Sequence, residues 1–140
     1  MRDYRGNRLD NGEWVYGDCV HSQYKIGDTC VGQYGNTVGM HQVDPSSVGQ
    51  YTGIYTMEEA EDGDTRCTFI YEGDIVDAVL TDGIHEGFSW GRHVVVFDRG
   101  AFCLKDRRGL TTPMCSYSAS VKFKVLGNVW DNPELMEVSK

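Results

Sequence analysis

The sequence has too few basic residues and too short apolar runs for two broad classes of function. Lys and Arg number 13 against 21 Asp and Glu, which gives a formal net charge of −8. Binding to a phosphate backbone without sequence preference needs a surplus of Lys and Arg, so a general nucleic-acid coat protein is disfavoured. No stretch approaches the roughly 18 apolar residues of a membrane span, and the first residues are polar. We therefore expect a cytoplasmic protein without a signal peptide or membrane anchor.

Close pairs of metal-ligating residues are also missing. The five cysteines include no CxxC pair and are odd in number, so we expect free thiols, several of them in the core. Cys19, His21, Cys30 and His41 are the right residue types for zinc, but structural zinc sites usually present a close CxxC or HxxxH pair. We favour packed thiols and surface histidines, with zinc as the open alternative.

Neither a catalytic triad nor a phosphate-binding motif can be recognised. The GxxxxGK[ST] motif of NTPases is absent, and a cluster of serines at 116, 118 and 120 falls in a polar loop. The acids between positions 58 and 64 lack the Asp-x-Asp-x-Asp-Gly order and the distal glutamate of a calcium loop. The sequence therefore predicts neither an enzyme nor a cofactor.

The residues that are abundant favour strands and turns. Seventeen glycines, eight tyrosines and many valines fit pleated sheets and tight turns better than helices. A chain of 140 residues can bury one continuous core, so we predict a single domain over residues 1–140.

The first half of the chain contains several turn signals. Asn11-Gly12 before the aromatic run Trp14–Gly17 predicts a hairpin, because a type I′ turn needs positive φ at both central residues. Val43-Asp44-Pro45 predicts a turn that leads into a strand near Tyr51. The glycine-rich residues 27–39 predict a flexible loop or a loosely paired ribbon. The acidic residues 56–66 predict a solvated connector.

The second half reads as strands joined by tight turns. The apolar run 93–97 predicts a strand buried on both faces. Residues 121–125 alternate apolar with Lys, which predicts a strand with one buried face, and Gly127-Asn128 predicts a bulge. Asn132-Pro133-Glu134 predicts a short C-terminal helix, capped by Asn132, that docks Leu135 and Met136 on the sheet.

Together these elements predict an all-β fold, a small twisted barrel built from the strands after Gly73 and the final strand. The entry Gly73–Val76 is similar to the opening of a strand in SH3-like barrels, which is a fold analogy only. An N-terminal hairpin would extend this barrel, and a short C-terminal helix would complete it. Open sheet edges invite pairing with another chain, so a homo-oligomer is plausible.

Four segments taken together resemble the YopX family of phage and prophage proteins. They are WVYGD (14–18), VDPSSVGQYTG (43–53), YEGDIV (71–76) and VLGNVWDNPEL (125–135), in an order and spacing that cover nearly the whole chain. The resemblance implies a small β-rich domain encoded by phages or integrated elements of bacteria, without an established activity. The acidic residues 56–66 depart from the short Lys- and Asn-rich turn of many members.

One polar set suggests a ligand site. Trp90, Arg92 and His93 are followed by Arg99 and then by the basic residues Lys105, Arg107 and Arg108. An aromatic plate with guanidinium donors can hold a nucleotide by stacking and by bidentate phosphate contacts. Alternatively, Trp90 is a core or interface residue and the arginines are ordinary surface charges, which is the interpretation we favour from sequence alone.

Charge is unevenly distributed along the chain. Residues 1–83 carry 15 acids and 5 bases, net −10, and residues 84–140 carry 6 acids and 8 bases, net +2. The first hypothesis is a non-enzymatic binding protein that acts on a bacterial host protein or pathway through its acidic surface. The second is an anti-defence sponge that sequesters a host signalling nucleotide, cyclic or ADP-ribose type, in a pocket of Trp90, Arg92 and Arg99. The third is an enzyme on a nucleotide or sugar that lacks a recognisable catalytic set.

Overall fold

The computed structural model describes residues 4–8, 12–21, 29–32, 41–59, 62–81, 88–118 and 120–137. The chain divides into two compact units, Met1–Tyr51 and Thr52–Lys140, and each is described by itself. The prediction of a single domain stays a prediction. In the described ranges the strands are β1 (Tyr4–Asn7), β2 (Trp14–His21), β3 (Thr29–Gly32), β4 (His41–Val43), β5 (Gly49–Glu59), β6 (Thr65–Tyr71), β7 (Asp74–Leu80), β8 (Ser89–Asp98), β9 (Ala101–Lys105), β10 (Thr111–Pro113) and β11 (Val121–Asn128).

The helical segments of this part of the chain are three short 3₁₀ turns. They span Pro45–Ser47, Met114–Ser116 and Pro133–Met136. None of the described helices is long and apolar enough to cross a membrane. The structure confirms the predicted all-β fold with a small twisted, barrel-like sheet.

The first unit begins with the predicted hairpin. β1 and β2 pair antiparallel, from Tyr4 opposite Gly17 to Asn7 opposite Trp14. Gly12, at the end of the turn, has φ +71°, a conformation that glycine adopts at little cost. The Arg5 guanidinium carbon lies 4.9 Å from the centroid of the Trp14 ring, a cation–π contact. The hairpin predicted from the Asn-Gly pair is therefore present.

The predicted turn after Val43 is present as well. The Ser47 backbone N–H donates to the Asp44 carbonyl at 2.9 Å, and the Ser46 N–H donates to Asp44 Oδ1 at 3.0 Å. This Asx-type bonding closes the 3₁₀ turn Pro45–Ser47. Strands in this unit lie in the order β4-β3-β2-β1, with the first residues of β5 beside β1.

A five-stranded antiparallel sheet in the order β10-β9-β8-β7-β11 forms the centre of the second unit. β11 alternates as predicted, with Phe123 buried and Lys124 exposed. Its pairing with β7 shifts register between Val125 and Gly127, which confirms the predicted bulge. The core of this unit consists of Ile70, Val76, Ala78, Val95, Leu104, Met114 and Phe123.

The tight turn between β6 and β7 fixes the geometry of this sheet. Gly73 has φ +92°, and a Cβ there would overlap the ring of Trp130. Asp74 is buried, and its Oδ2 accepts a 2.9 Å hydrogen bond from the Tyr71 N–H. The Val129 N–H donates to the Gly73 carbonyl at 3.0 Å. The segments YEGDIV and VLGNVWDNPEL, far apart in sequence, therefore contact each other at a position where only glycine fits.

The apolar run in β8 is not buried on both faces, so that prediction is wrong. His93 and Val95 are buried, Val94 and Val96 are half-buried, and Phe97 is 53% exposed. Unbroken apolar runs are typical of strands covered on both sides, but an antiparallel sheet can leave one side partly open to water.

Two further predictions need correction. β5 continues through Glu59 and β6 begins at Thr65, so much of the predicted connector 56–66 is strand. Acidic side chains are compatible with pairing because the backbone makes the ladder while side chains reach water. The C-terminal helix is a single 3₁₀ turn, and Asn132 does not cap it. Asn132 Oδ1 instead accepts from the Asn128 N–H at 3.3 Å, and Leu135 and Met136 are half-buried.

Candidate functional site

A cavity of about 410 Å³ lies on the second unit, and we call it the arginine cavity. Its volume falls within the range of small-molecule sites, roughly 300–1,000 Å³. Its lining consists of Asp77, Trp90, Gly91, Arg92, Asp106, Arg107 and Arg108. Three arginines, two aspartates and one tryptophan therefore contribute to the lining of this cavity.

Strand pairing positions one side of the arginine cavity. β7 and β8 are antiparallel neighbours, and Asp77 lies directly opposite Arg92. Trp90 and Arg92 flank Gly91 on β8, and both line the cavity. The β7–β8 register shifts between Asp77 and Val79, and Gly91 has φ +89° in this region. Bulges of this kind re-aim side chains next to functional sites.

The turn between β9 and β10 supplies the other side of the cavity. Asp106 Oδ1 accepts hydrogen bonds from the Arg108 N–H at 2.9 Å and the Leu110 N–H at 3.0 Å. This Asx-type turn holds the backbone of Arg107 and Arg108 in place while their side chains remain exposed. The turn thus fixes the backbone from which the two arginine side chains extend.

Two of the three guanidinium groups share one neutral acceptor. Arg92 Nη1 donates to the Leu135 carbonyl at 3.2 Å, and Arg107 Nη2 donates to the same carbonyl at 3.3 Å. Within the described ranges, no carboxylate lies within 4.0 Å of any of the three arginine side chains as an ion pair. The arginine cavity therefore offers positive charge and unused donors to an anion.

An aromatic chain connects the cavity to the core. Phe88 and Trp90 meet edge to face with centroids 4.9 Å apart, and Trp90 and Tyr117 do so at 5.9 Å. Tyr117 in turn contacts the core residue Phe123 at 5.4 Å. Trp90 is 44% exposed, so part of its ring is available for stacking with a planar ligand.

Burial raises the pKa of Tyr117. Desolvation is the largest cause, a hydrogen bond with Thr112 works in the opposite direction, and the negative charge of Asp106 raises the pKa further. The neutral phenol is therefore the favoured form beside the cavity.

The four predicted ligand residues do not all converge. Trp90 and Arg92 line the arginine cavity. His93 is buried, with Nδ1 2.9 Å from the Gly91 carbonyl oxygen. Arg99 lies in the β8–β9 turn with φ +51°, and it does not line the cavity. The ligand-binding roles of His93 and Arg99 stay predictions, whereas Arg107 and Arg108 join the pair from the same basic stretch.

Sequence reasoning missed Asp77 and Asp106 as cavity residues. Asp77 accepts a hydrogen bond from the Ser89 hydroxyl through Oδ1. The signal that could have found Asp77 is the succession of two strands, because an acid and a base at facing positions of antiparallel neighbours stabilise the pairing. The signal for Asp106 is the Asp-Arg-Arg-Gly turn, in which Asp accepts from its own turn backbone.

The zinc alternative rests on the first unit. Cys19 pairs with Val31, which pairs with His41, whereas Cys30 pairs with Val20 and Gln42 in a neighbouring row. The side chains of all four candidate ligands lie outside the part of the chain that the structure describes, so the zinc alternative stays open. Among the described residues, no group of three or more potential ligands could hold a metal ion.

Comparisons with known proteins support the resemblance. A similar fold occurs in the crystal structure of protein YopX from Bacillus subtilis, with a TM-score of 0.52, 22% sequence identity, and 100% coverage of both chains. No curated protein matches the chain. The sequence profile of the family described as YopX protein matches residues 3–137, nearly the whole length. The chain therefore belongs to the YopX family.

Proposed function

We propose that the protein is a non-enzymatic binding protein that sequesters a small phosphate-bearing nucleotide in the arginine cavity. The observation that carries the proposal is the convergence of Arg92, Arg107 and Arg108 on one cavity without an ion-paired carboxylate in the described ranges. Guanidinium groups bind phosphate oxygens through paired N–H donors, and these charge-assisted bonds are about twice as strong as neutral ones.

The other lining residues match the rest of a nucleotide. Part of the Trp90 ring is exposed and can stack against a base. Asp77 and Asp106 are hydrogen-bond acceptors suited to ribose hydroxyls or base amino groups. With three arginines and two aspartates, the lining carries a formal charge of +1 inside a chain of net charge −8. This contrast favours a small anion over a long polyanion.

We place this activity in the cytoplasm of a bacterial host, with the protein encoded by a phage or prophage. There it would act against defence by withdrawing a signalling nucleotide of the cyclic or ADP-ribose type. This setting rests on the resemblance to phage and prophage proteins, whereas the ligand class rests on the residues of the arginine cavity.

A thermal-shift panel tests the proposal. Cyclic mononucleotides, cyclic dinucleotides and ADP-ribose are each added to the full chain, and a ligand at one hundred times its Kd stabilises the fold by about 2.7 kcal/mol. The Arg108→Ala variant should lose this shift. Its guanidinium has no hydrogen bond or ion pair to another described residue, so the fold should be unaffected.

The matched control is Arg99→Asn. It removes a positive charge at a turn outside the cavity and keeps a residue that tolerates φ +51°. The proposal expects the shift to persist in this variant. If no nucleotide of the panel shifts the wild-type protein, the proposed function is wrong, and loss of the shift in Arg99→Asn alone would move the site to the β8–β9 turn.

A further inference from the structure

The β5–β6 hairpin exposes the end of a sheet. In the part of the chain that the structure describes, β6 is the last strand in its sheet order and has one neighbour, β5. Thr65, Arg66 and Cys67 at the start of β6 are exposed. An exposed edge presents N–H and C=O groups that another extended chain can pair with.

Apolar side chains lie beside this edge, and we call Tyr55, Met57 and Phe69 the hairpin patch. They are 57%, 52% and 39% exposed, respectively. The Tyr55 and Phe69 rings contact edge to face across the hairpin, with centroids 6.3 Å apart. Large apolar groups grouped on one exposed surface are typical of an interaction site.

The segment that joins β5 to β6 is rich in acids. Residues 58–66 contain five acids and one base, a net charge of −4. Asp62 and Asp64 are exposed, and the one ion pair of the described tip, Arg66 Nη2 to Asp62 Oδ2 at 3.8 Å, is exposed on both sides. Exposed pairs of this kind neutralise little of the surrounding field.

We propose that β6 binds an extended, Lys- or Arg-rich segment of a partner protein as an added strand. Backbone pairing along residues 65–68, the first residues of β6, supplies register and affinity, and the hairpin patch accommodates alternate apolar side chains of the segment. The acids of residues 58–66 select for a basic partner and accelerate its encounter. A second copy of this chain fits less well, because it would bring the same surplus of acids to the edge. The proposal is independent of the arginine cavity.

Two synthetic peptides of equal length test the choice of partner. One alternates Val with Lys and the other alternates Val with Glu, and binding to the full chain is measured by fluorescence anisotropy. The Lys peptide should bind at least about tenfold more tightly, and raising the salt from about 50 to 200 mM should weaken it. Equal binding of the two peptides, or binding of neither, would overturn the proposal.

Cys67 reports whether the peptide occupies the edge. Alkylation is followed by mass spectrometry, with Cys115 as the internal control because both thiols are exposed. Bound Lys peptide should slow alkylation of Cys67 and leave Cys115 unchanged. Equal rates with and without bound peptide would place it elsewhere and overturn the proposal.

Substitutions test whether the hairpin patch contributes to binding, and oxidation tests whether a second copy of the chain occupies the edge instead. Tyr55→Ala should weaken the binding of the Lys peptide by at least about fivefold, as expected when an aromatic residue anchors the peptide. Phe97→Ala removes an exposed aromatic side chain of β8, outside the hairpin patch, and should leave the affinity for the Lys peptide unchanged. A stable dimer that forms a Cys67–Cys67 disulfide on mild oxidation, and that excludes the peptide, would assign the edge to a second copy and contradict the proposal.

Discussion

Gly73 lies where two family segments contact each other, and replacing it by Ala should destabilise the second unit severely. Its φ of +92° is strained for any residue with a Cβ, at a cost of about 1–2 kcal/mol. The added methyl would also overlap the Trp130 ring, and overpacking of this kind costs about 1–3 kcal/mol. The expected loss in free energy of unfolding is therefore about 2–5 kcal/mol.

Gly100→Ala is the matched control for Gly73→Ala. Gly100 has φ +83° in the β8–β9 turn, and no atom lies within 4 Å of the position its Cβ would take. The control should lose only the conformational part, about 1–2 kcal/mol. Urea unfolding followed by circular dichroism measures both variants through the midpoint at constant m value.

A double-mutant cycle isolates the contact itself. Trp130→Ala removes the ring that the new methyl would meet, so the combined Gly73→Ala/Trp130→Ala variant should be more stable than the sum of the two losses predicts. If Gly73→Ala and Gly100→Ala cost the same, or if the cycle shows no coupling, packing against Trp130 is not what requires glycine at position 73.

Three further variants test other parts of the second unit. Asp74→Ala should cost about 1–3 kcal/mol by leaving the buried Tyr71 N–H without its acceptor, and Asp74→Asn, which keeps an acceptor, should recover much of it in urea unfolding. Because burial raises the pKa of Tyr117, its contribution to stability is fully present below its ordinary value near 10 and is lost as pH rises through the raised value. An absorbance titration should therefore show late ionisation, and Asp106→Asn should lower that pKa. Phe123→Ala should cost about 3–5 kcal/mol, and a loss below 1 kcal/mol would contradict its assignment to the core.

Local patterns in the sequence predicted much of the fold. The Asn11-Gly12 pair, the alternation in β11 and the bulge at Gly127 each depend on neighbouring residues, so the sequence shows them directly. Burial on both faces of β8 was predicted wrongly, because burial depends on which elements cover the strand and neighbouring residues do not reveal this. The acids similarly suggested a connector over residues 56–66, whereas of its described residues only 62–64 lie between the strands, because pairing across the hairpin depends on backbone rather than side-chain charge.

The candidate site was predictable only in part. Trp90 and Arg92 stand together in sequence, and the basic stretch that contains Arg107 was visible beside them. Asp77 joins them only through the β7–β8 register. The Leu135 carbonyl, which accepts from Arg92 and Arg107, is a backbone group that no residue pattern marks. The cavity forms where β7, β8 and the β9–β10 turn meet, and this meeting is a property of tertiary structure.

Isothermal titration calorimetry tests the central claim, that the arginine cavity binds a nucleotide, most directly. The nucleotide that gives the largest thermal shift is titrated into wild-type protein and into Arg108→Ala and Arg99→Asn. A lost charge-assisted bond costs about 1.5–3 kcal/mol, so Arg108→Ala should weaken binding by roughly tenfold or more. The account predicts this loss with Arg99→Asn unchanged, whereas a Kd that is the same in wild type and Arg108→Ala would contradict it.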